Sequence, residues 1–304
     1  MNVSIIIPAR NEAASIGEVV GGIRSRFPKA EVLVVDDGST DRTAHLAEEG
    51  GARVISHPQS LGNGAAVKAG ARAAEGEVLV FLDADGQHDP ADIPRLLEKL
   101  DEGYAMVVGA RSSSSHANVG RLAANGIYNV IASMVTGHRV PDLTSGFRAV
   151  KADLFRKFLY LLPNGFSYPT TITMAFMRAG YPVDFLPIVA KKRVGKSHIK
   201  PVRDGLRFLV IIFKIATLYA PLKLFLPTSL GFFVLGIGYY LYTYVTRGQF
   251  TNMSLLLFSA AVIIFLIGLI SEQITALNYK DSTENSAGNS GSSHQASGNA
   301  EHRS

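Results

Sequence analysis

Glu77–Pro90 reads EVLVFLDADGQHDP, and the rest of the chain is organised around it. Val78–Leu82 is a short apolar run rich in β-branched and aromatic residues, the pattern of a buried strand. It leads directly into Asp83, Ala84 and Asp85, followed by Gly86, Gln87 and His88. Side chains alternate faces along a strand, so two carboxylates two positions apart are expected to converge where the strand leaves the sheet. Carboxylates that close repel unless positive charge lies between them. A hard divalent cation, Mg²⁺ or Mn²⁺, suits them because it prefers oxygen ligands and shares itself with phosphates; Gln87 adds a carbonyl oxygen. An Asp-x-Asp pair taken alone reads more often as a polar loop ahead of a helix N-cap. The segments on either side turn the reading towards a site.

Upstream, Val3–Pro8 (VSIIIP) reads as a buried first strand, and Ala9–Ala14 turns into a helix over about Ser15–Arg26. Glu31–Val35 is a second strand, followed at once by Asp36, Asp37, Gly38, Ser39, Thr40 and Asp41. Ser39 or Thr40 is suited to cap the next helix, which runs to Glu49. Arg53–Ser56 reads as a third strand and Gly62–Ala74 as a helix of small residues. Alternating strands and helices of this length specify an α/β fold with a mostly parallel sheet flanked by helices. Ligands of such sheets collect at the carboxyl ends of the strands. Three of those ends carry polar clusters here: Arg10-Asn11-Glu12, Asp36-Asp37 and Asp83-Ala84-Asp85. No Gly-x-Gly-x-x-Gly follows the first strand and no Gly-x-x-x-x-Gly-Lys-Ser/Thr occurs, which argues against dinucleotide-binding and P-loop readings. Acidic strand ends offer another way to hold a nucleotide diphosphate, with carboxylates on a cation and the cation on the phosphates.

Downstream, Pro94–Glu102 is expected to be helical and Met106–Gly109 a strand, with Arg111 just beyond it. Ser112–His116 reads as a loop, and Arg121–Thr136 as a helix with Arg121, Asn125 and Asn129 on one face. Asp142–Arg148 (DLTSGFR) reads as a turn, Ala149–Leu161 and Tyr168–Arg178 as helices, and Val183–Val189 as a last strand before the basic run Lys191–Lys200.

The 304 residues carry a net charge of +5 and no cysteine. Disulfides, thiolate metal sites and cysteine nucleophiles are thereby excluded. A basic chain suits a membrane surface, phosphorylated substrates or nucleic acid. The basic residues cluster ahead of the apolar C-terminal region and not along an aromatic-studded groove, so nucleic acid is not an expected partner. The mean hydropathy of +0.18 is high for a soluble domain, and the apolar residues concentrate after Asp204. Met1–Ala9 enters a strand-like run without a basic leader, so no signal peptide is expected.

Residues 203–225 read as a juxtamembrane amphipathic helix. Two apolar segments at about 227–246, which carries no charge, and 253–275 are long enough to span a bilayer, joined by a short loop within 226–277. Basic residues are dense before the first span, whereas the loop holds only Arg247, which places the domain at 1–202 and the C-terminus in the cytoplasm. Residues 278–304, rich in Ser, Asn and Gly, are expected to be disordered.

Ile5–Glu12 (IIIPARNE), Val34–Thr43 (VVDDGSTDRT), Leu61–Gly70 (LGNGAAVKAG), Val78–Pro90, Gly109–Arg111, Asp142–Arg148 and Lys192–His198 (KRVGKSH) together resemble glycosyltransferase family 2. The nearer resemblance is to the dolichol-phosphate mannose synthase-like polyprenyl-phosphate glycosyltransferases. It implies a GT-A fold, a divalent metal and inverting transfer of one hexose, with mannose or glucose first in line. The donor would be a nucleotide sugar, GDP- or UDP-linked, and the acceptor dolichyl or undecaprenyl phosphate. By position, Pro8, Arg10 and Glu12 should line the nucleotide, and Asp36 and Asp37 should face its base and ribose. Asp83, Asp85 and Gln87 should hold the metal, while Arg111, Arg121 and Arg193 should meet phosphates. Asn125 and Lys196 join Arg111 and Arg121 at the acceptor phosphate, and Ser197 belongs to a basic loop over the donor. His198 stands where mannose synthases often carry lysine, and Arg10 where tyrosine or threonine is common; both departures leave the donor sugar open. An alternative within the family is extension of a glycan or glycolipid with the hairpin as anchor only. A non-catalytic membrane protein with a decayed transferase domain fits poorly with the retained acidic pair. A homo-oligomer is left open.

Overall fold

The computed structural model describes residues 1–111, 133, 137, 139–165, 168–189, 213, 217 and 220–298, with side chains of the last stretch described to 277. The chain divides into two units, Met1–Asp204 and Gly205–Ser304.

The first unit is built on a seven-stranded sheet in the order β3-β2-β1-β4-β6-β5-β7. β1 (Val3–Ala9) pairs in parallel with β2 (Glu31–Asp36), and β2 with β3 (Arg53–Ser56). On its other side β1 pairs in parallel with β4 (Val78–Phe81). Three helices link these strands: α1 (Ile16–Arg26), α2 (Thr43–Glu49) and α3 (Asn63–Ala73). α1 buries Ile16, Val19, Val20 and Ile23, the i, i+3, i+4, i+7 stripe of an amphipathic helix. These side chains join Ile5, Ile7, Val32, Val34, Val78 and Val80 in one core, which also takes Ile93, Leu96 and Leu100 from α4 (Ile93–Asp101). Fully burying each such aliphatic side chain contributes about 1.5–3 kcal/mol. α3 packs closely on the sheet because its inner face is made of small residues. A Cβ on Gly70 would lie 2.5 Å from Ile6 Cγ2 and 3.2 Å from Val35 Cγ2, so glycine sets this approach.

The sheet departs from the expected pattern at β6 (Arg148–Lys151), which lies antiparallel between β4 and β5 (Met106–Arg111). The sequence predicts a turn and then a helix over Ala149–Leu161. The chain instead forms β6, then a short helix α5 (Ala152–Lys157) and a 3₁₀ turn at Leu159–Leu161. Pairing explains the difference: β6 satisfies the facing edges of β4 and β5 and buries Arg148, Ala149 and Val150. Four residues of local propensity are outweighed by two ladders of backbone hydrogen bonds. α6 (Tyr168–Arg178) follows, and β7 (Val183–Ile188) closes the sheet in parallel with β5. Pro187 is tolerated in β7 because this strand is an edge.

The topology has one consequence for function. β1, β2, β4 and β5 all point the same way, so their carboxyl ends share one rim of the sheet. Because β6 runs opposite, the segment that enters it, Asp142–Phe147, arrives at that same rim.

The second unit contains α7 (Pro221–Arg247) and α8 (Asn252–Gly298). α7 begins six residues ahead of the expected span and carries Pro227 inside it. Glycine at 248, with φ +65°, ends α7 in the left-handed conformation that glycine adopts without penalty. The two helices approach closely at small residues. Ser229 Oγ donates to the Ala261 carbonyl at 2.8 Å, and a Cβ on Gly268 would lie 2.7 Å from Phe225 Cβ. The Leu222 N–H at the start of α7 donates to Glu272 Oε2 at 3.3 Å. Outward-facing Leu230, Val234, Leu235, Leu255, Leu256, Ile263 and Ile270 are exposed. Only 11% and 17% of the two apolar windows are buried, which separates these helices from core helices. α8 continues to Gly298, whereas disorder is expected from 278; the apolar pattern stops at Leu277 and nothing in the composition beyond it explains the helix.

Candidate active site

The rim begins with two loops stitched together. Asn11, after β1, has φ +54°, a conformation that asparagine adopts more readily than most residues. Its backbone N–H donates to Ser39 Oγ at 2.9 Å, and its Oδ1 accepts the Thr40 N–H at 2.8 Å. The Glu12 N–H donates to Thr43 Oγ1 at 2.9 Å, and the Ala13 N–H to Asp41 Oδ2 at 3.2 Å. The Asn-Glu and Gly-Ser-Thr-Asp segments therefore form one wall. Pro8 is buried in β1, Arg10 is exposed beyond its end, and Glu12 is half-buried.

Asp36 and Asp37 are both buried, yet they differ in role. Asp37 Oδ1 takes His57 Nδ1 at 2.9 Å and the Leu61 N–H at 2.8 Å. Its Oδ2 accepts from Ser60 Oγ at 2.8 Å and from the Gly62 N–H at 2.9 Å. A carboxylate has about four acceptor positions, and all are used to hold the 57–62 loop. Burial pushes the Asp37 pKa up, but the bonds from His57, Leu61, Ser60 and Gly62 outweigh it and hold the carboxyl below its usual range. The geometry gives Asp37 to the loop and leaves Asp36, which accepts the Ser39 N–H at 3.2 Å, as the acidic group of this strand end.

The central acidic turn also differs from its sequence reading in one respect. β4 ends at Phe81, so strand alternation does not set the directions of Asp83 and Asp85. A turn does: Gly86 has φ +71°, and Asp85 Oδ1 accepts the Gln87 N–H at 3.2 Å. Ser15 Oγ, at the start of α1, donates to the Ala84 carbonyl at 2.8 Å and ties the turn to the first wall. Asp83, Asp85 and Gln87 are all half-buried. Asp83 lies against the backbone of Gly146, where a Cβ would sit 2.9 Å from Oδ1 and 3.0 Å from Oδ2. Its other neighbour is His88, whose Nδ1 is 3.8 Å from Asp83 Oδ2. The two carboxylates and the amide carbonyl of this turn are oxygen donors, the chemistry that suits a hard divalent cation.

Arg111, at the end of β5, is gripped by a residue that the sequence reading assigned no role. Arg111 Nε donates to Asp142 Oδ2 at 2.8 Å, and Nη2 to Asp142 Oδ1 at 3.2 Å and Thr144 Oγ1 at 2.7 Å. Burial lowers the Arg111 pKa, but Asp142 and then the charges of Asp83 and Asp85 raise it further, so the guanidinium is held charged. Burial likewise raises the Asp142 pKa, and Arg111 more than reverses this. Arg148 lies behind the rim, fully buried, with Nη1 donating to the Pro169 carbonyl and Thr173 Oγ1 at 3.1 Å each and Nη2 to the Ser145 carbonyl. Asp142, Gly146 and Arg148 all fall in the DLTSGFR stretch, and its return to the rim is the signal that a purely local reading missed. Arg121, Asn125, Arg193, Lys196 and Ser197 lie outside the described residues.

Residues 4–159 match the family described as glycosyl transferase family 2, and residues 220–277 match the GtrB C-terminal hairpin. The chain belongs to glycosyl transferase family 2. A similar relative is the glycosyltransferase AglJ of Haloferax volcanii, 30% identical over 294 residues that cover 91% of this chain and 94% of that protein. The dolichyl-phosphate hexose transferase of the same organism is 33% identical over 207 residues, 67% of this chain and 89% of the relative. Among solved structures, glucosyl-3-phosphoglycerate synthase from Mycobacterium tuberculosis, in complex with Mn²⁺, uridine diphosphate and phosphoglyceric acid, superposes with a TM-score of 0.58. It is 25% identical and the match covers 71% of this chain and 77% of that one. The α/β unit is thus a GT-A domain, and this family 2 glycosyltransferase carries its sheet-rim site on the same chain as two apolar helices of a membrane protein.

Proposed function

We propose that this glycosyltransferase moves a single hexose, mannose or glucose, from GDP- or UDP-hexose to a polyprenyl phosphate, dolichyl or undecaprenyl, with inversion at C1. The observation that carries the reading is the joining, in one chain, of a family 2 domain to the GtrB-type hairpin. The dolichyl-phosphate hexose transferase relative supports the acceptor class. In this reading the hairpin holds the enzyme in the bilayer where its lipid substrate resides. The catalytic unit and the C-terminus are cytoplasmic, in keeping with the basic residues ahead of the first span.

Asp83, Asp85 and Gln87 would hold Mg²⁺ or Mn²⁺, in line with the Mn²⁺ and uridine diphosphate in the structural relative. When bound, the cation supplies Lewis-acid stabilisation to the departing nucleotide diphosphate. Asp36 and the wall of Pro8, Arg10 and Glu12 receive the nucleoside, and Asp37 positions the 57–62 loop beside it. Arg111, held charged by Asp142, faces phosphate, with Arg121, Asn125 and Lys196 at the acceptor phosphate, Arg193 at a phosphate of the donor and Ser197 in the basic loop over the donor. A phosphate monoester is already anionic near neutral pH, so its oxygen attacks C1 without a strong base. The C1–O bond to the diphosphate breaks on the opposite face, and the chain's work is positioning and charge compensation.

The test is incubation of the membrane-embedded enzyme with a panel of nucleotide sugars and with dolichyl or undecaprenyl phosphate, reading products by mass. Arg121→Ala should lower transfer by about 2–3 kcal/mol, on the order of 30- to 150-fold, with donor binding little changed. Efficient use of a neutral polyprenol or a glycan acceptor, or unchanged transfer in Arg121→Ala, would shift the assignment to glycan or glycolipid extension.

A further inference from the structure

We infer that His88 is a positioning residue for the cation site: its ring N–H orients the Asp83 carboxylate for metal binding. The inference rests on the metal reading above and goes beyond it. The His88 side chain is 2% exposed. Its ring stacks on Phe147, with centroids 5.1 Å apart and planes at 17°. Stacking uses the ring face and leaves the nitrogens at the edge. Neither Nδ1 nor Nε2 has a hydrogen-bond partner, although both are buried. A neutral imidazole always carries one N–H, and a buried donor without an acceptor is disfavoured.

The acceptor at hand is Asp83 Oδ2, 3.8 Å from Nδ1, roughly 0.8 Å beyond hydrogen-bond length. The Gly146 backbone lies against the same carboxylate, where a Cβ would come within 3.0 Å of both oxygens. Asp83 thus has a bare glycine backbone and the His88 ring as neighbours, and a bond from Nδ1 to Oδ2 would leave Oδ1 for the cation. Both ring nitrogens are too enclosed to take an ion from solvent themselves, so His88 acts through Asp83. Among the described residues, the other buried side-chain atoms without partners are Ser145 Oγ and Arg148 Nε. They flank Gly146 and Phe147, so the unsatisfied groups are confined to the two segments that frame Asp83. Carboxylates that ligate metals are typically hydrogen-bonded in turn, and loss of such a partner typically weakens metal binding 10- to 100-fold.

The experiment titrates the full-length protein in detergent with Mn²⁺ alone and follows free Mn²⁺ by electron paramagnetic resonance. His88→Phe keeps the stack and removes the N–H. It should weaken Mn²⁺ binding about 10- to 100-fold. His88→Asn places an amide N–H near the Nδ1 position and should bind within roughly threefold of wild type, since it preserves the charge-assisted bond. His88→Gln directs its amide to the Nε2 side and should behave like His88→Phe. Wild-type affinity in His88→Phe, or affinity in His88→Asn as weak as in His88→Gln, overturns the inference. If His88→Phe does not fold, the comparison of Asn with Gln decides. Equal Mn²⁺ binding by wild type and Asp85→Ala would instead overturn the metal reading itself, so the two failures are told apart.

Discussion

Replacing Asp142 by alanine tests the brace on Arg111. Asp142 is 6% exposed, and the Arg111 side chain that it grips is 22% exposed. Breaking a buried ion pair by removing one partner typically costs about 3–5 kcal/mol, because the remaining charge is stranded. Arg111 keeps its bond to Thr144 Oγ1 and some contact with water, so the loss should fall to about 2–3 kcal/mol. For a domain of this size each kcal/mol moves the melting temperature by about 2–4 °C, giving a fall of about 4–12 °C. The assay is circular dichroism at about 222 nm on the full chain in detergent, with Asp142→Asn as an intermediate that keeps one acceptor oxygen.

The pH dependence has a definite sign. The Asp142 pKa is lowered on folding, so its stabilisation is present above the unfolded value of about 3.9 and is lost as pH falls through the lower, folded value. The gap between wild type and Asp142→Ala should therefore be flat around neutrality and shrink only below about pH 4. Melting within about 1 °C of wild type at neutral pH, where 4–12 °C is expected, would refute the reasoning. A gap that widens on acidification would also refute it.

Gly146→Ala should push its new Cβ against Asp83 and lower transfer on the order of 10- to 100-fold, with little change in melting temperature; normal activity would show that the Asp83 position is not critical. Asp85→Ala, like excess chelator on wild type, should abolish transfer while leaving circular dichroism unchanged, because the residue sits in a surface turn and not in the core; full activity under either condition would contradict the cation assignment. A tag after Ser304 should be reachable by protease only from the side that also exposes Met1; accessibility from opposite sides would contradict a two-span hairpin.

The strands and helices of the N-terminal half of the sheet were legible residue by residue. Ile5–Ile7, Val32–Val35 and Val78–Phe81 are short, mostly β-branched runs between breakers, which suit a buried strand, and the stripe of Ile16, Val19, Val20 and Ile23 suits a helix face. The polar clusters at their ends announced the rim, since a parallel sheet must bring those ends together. The two apolar segments after residue 220 were equally plain, because length and apolar composition are local properties. Other features depended on contacts between distant segments. β6 forms because β4 and β5 leave it a slot, with Phe81 paired to Arg148, and no four-residue propensity encodes that slot. Asp36 and Asp37 look alike in the chain; the 57–62 loop, folded back over β2, consumes one carboxylate and spares the other. Asp142 becomes the brace of Arg111 only because β6 runs antiparallel and returns its entry segment to the rim. Burial of His88 beside Asp83 has the same origin: Phe147 covers its ring from a segment about 60 residues away. Periodicity and composition report what a residue prefers, whereas the partners that a charged or polar group meets are set by chain closure over long separations, which tertiary structure alone decides.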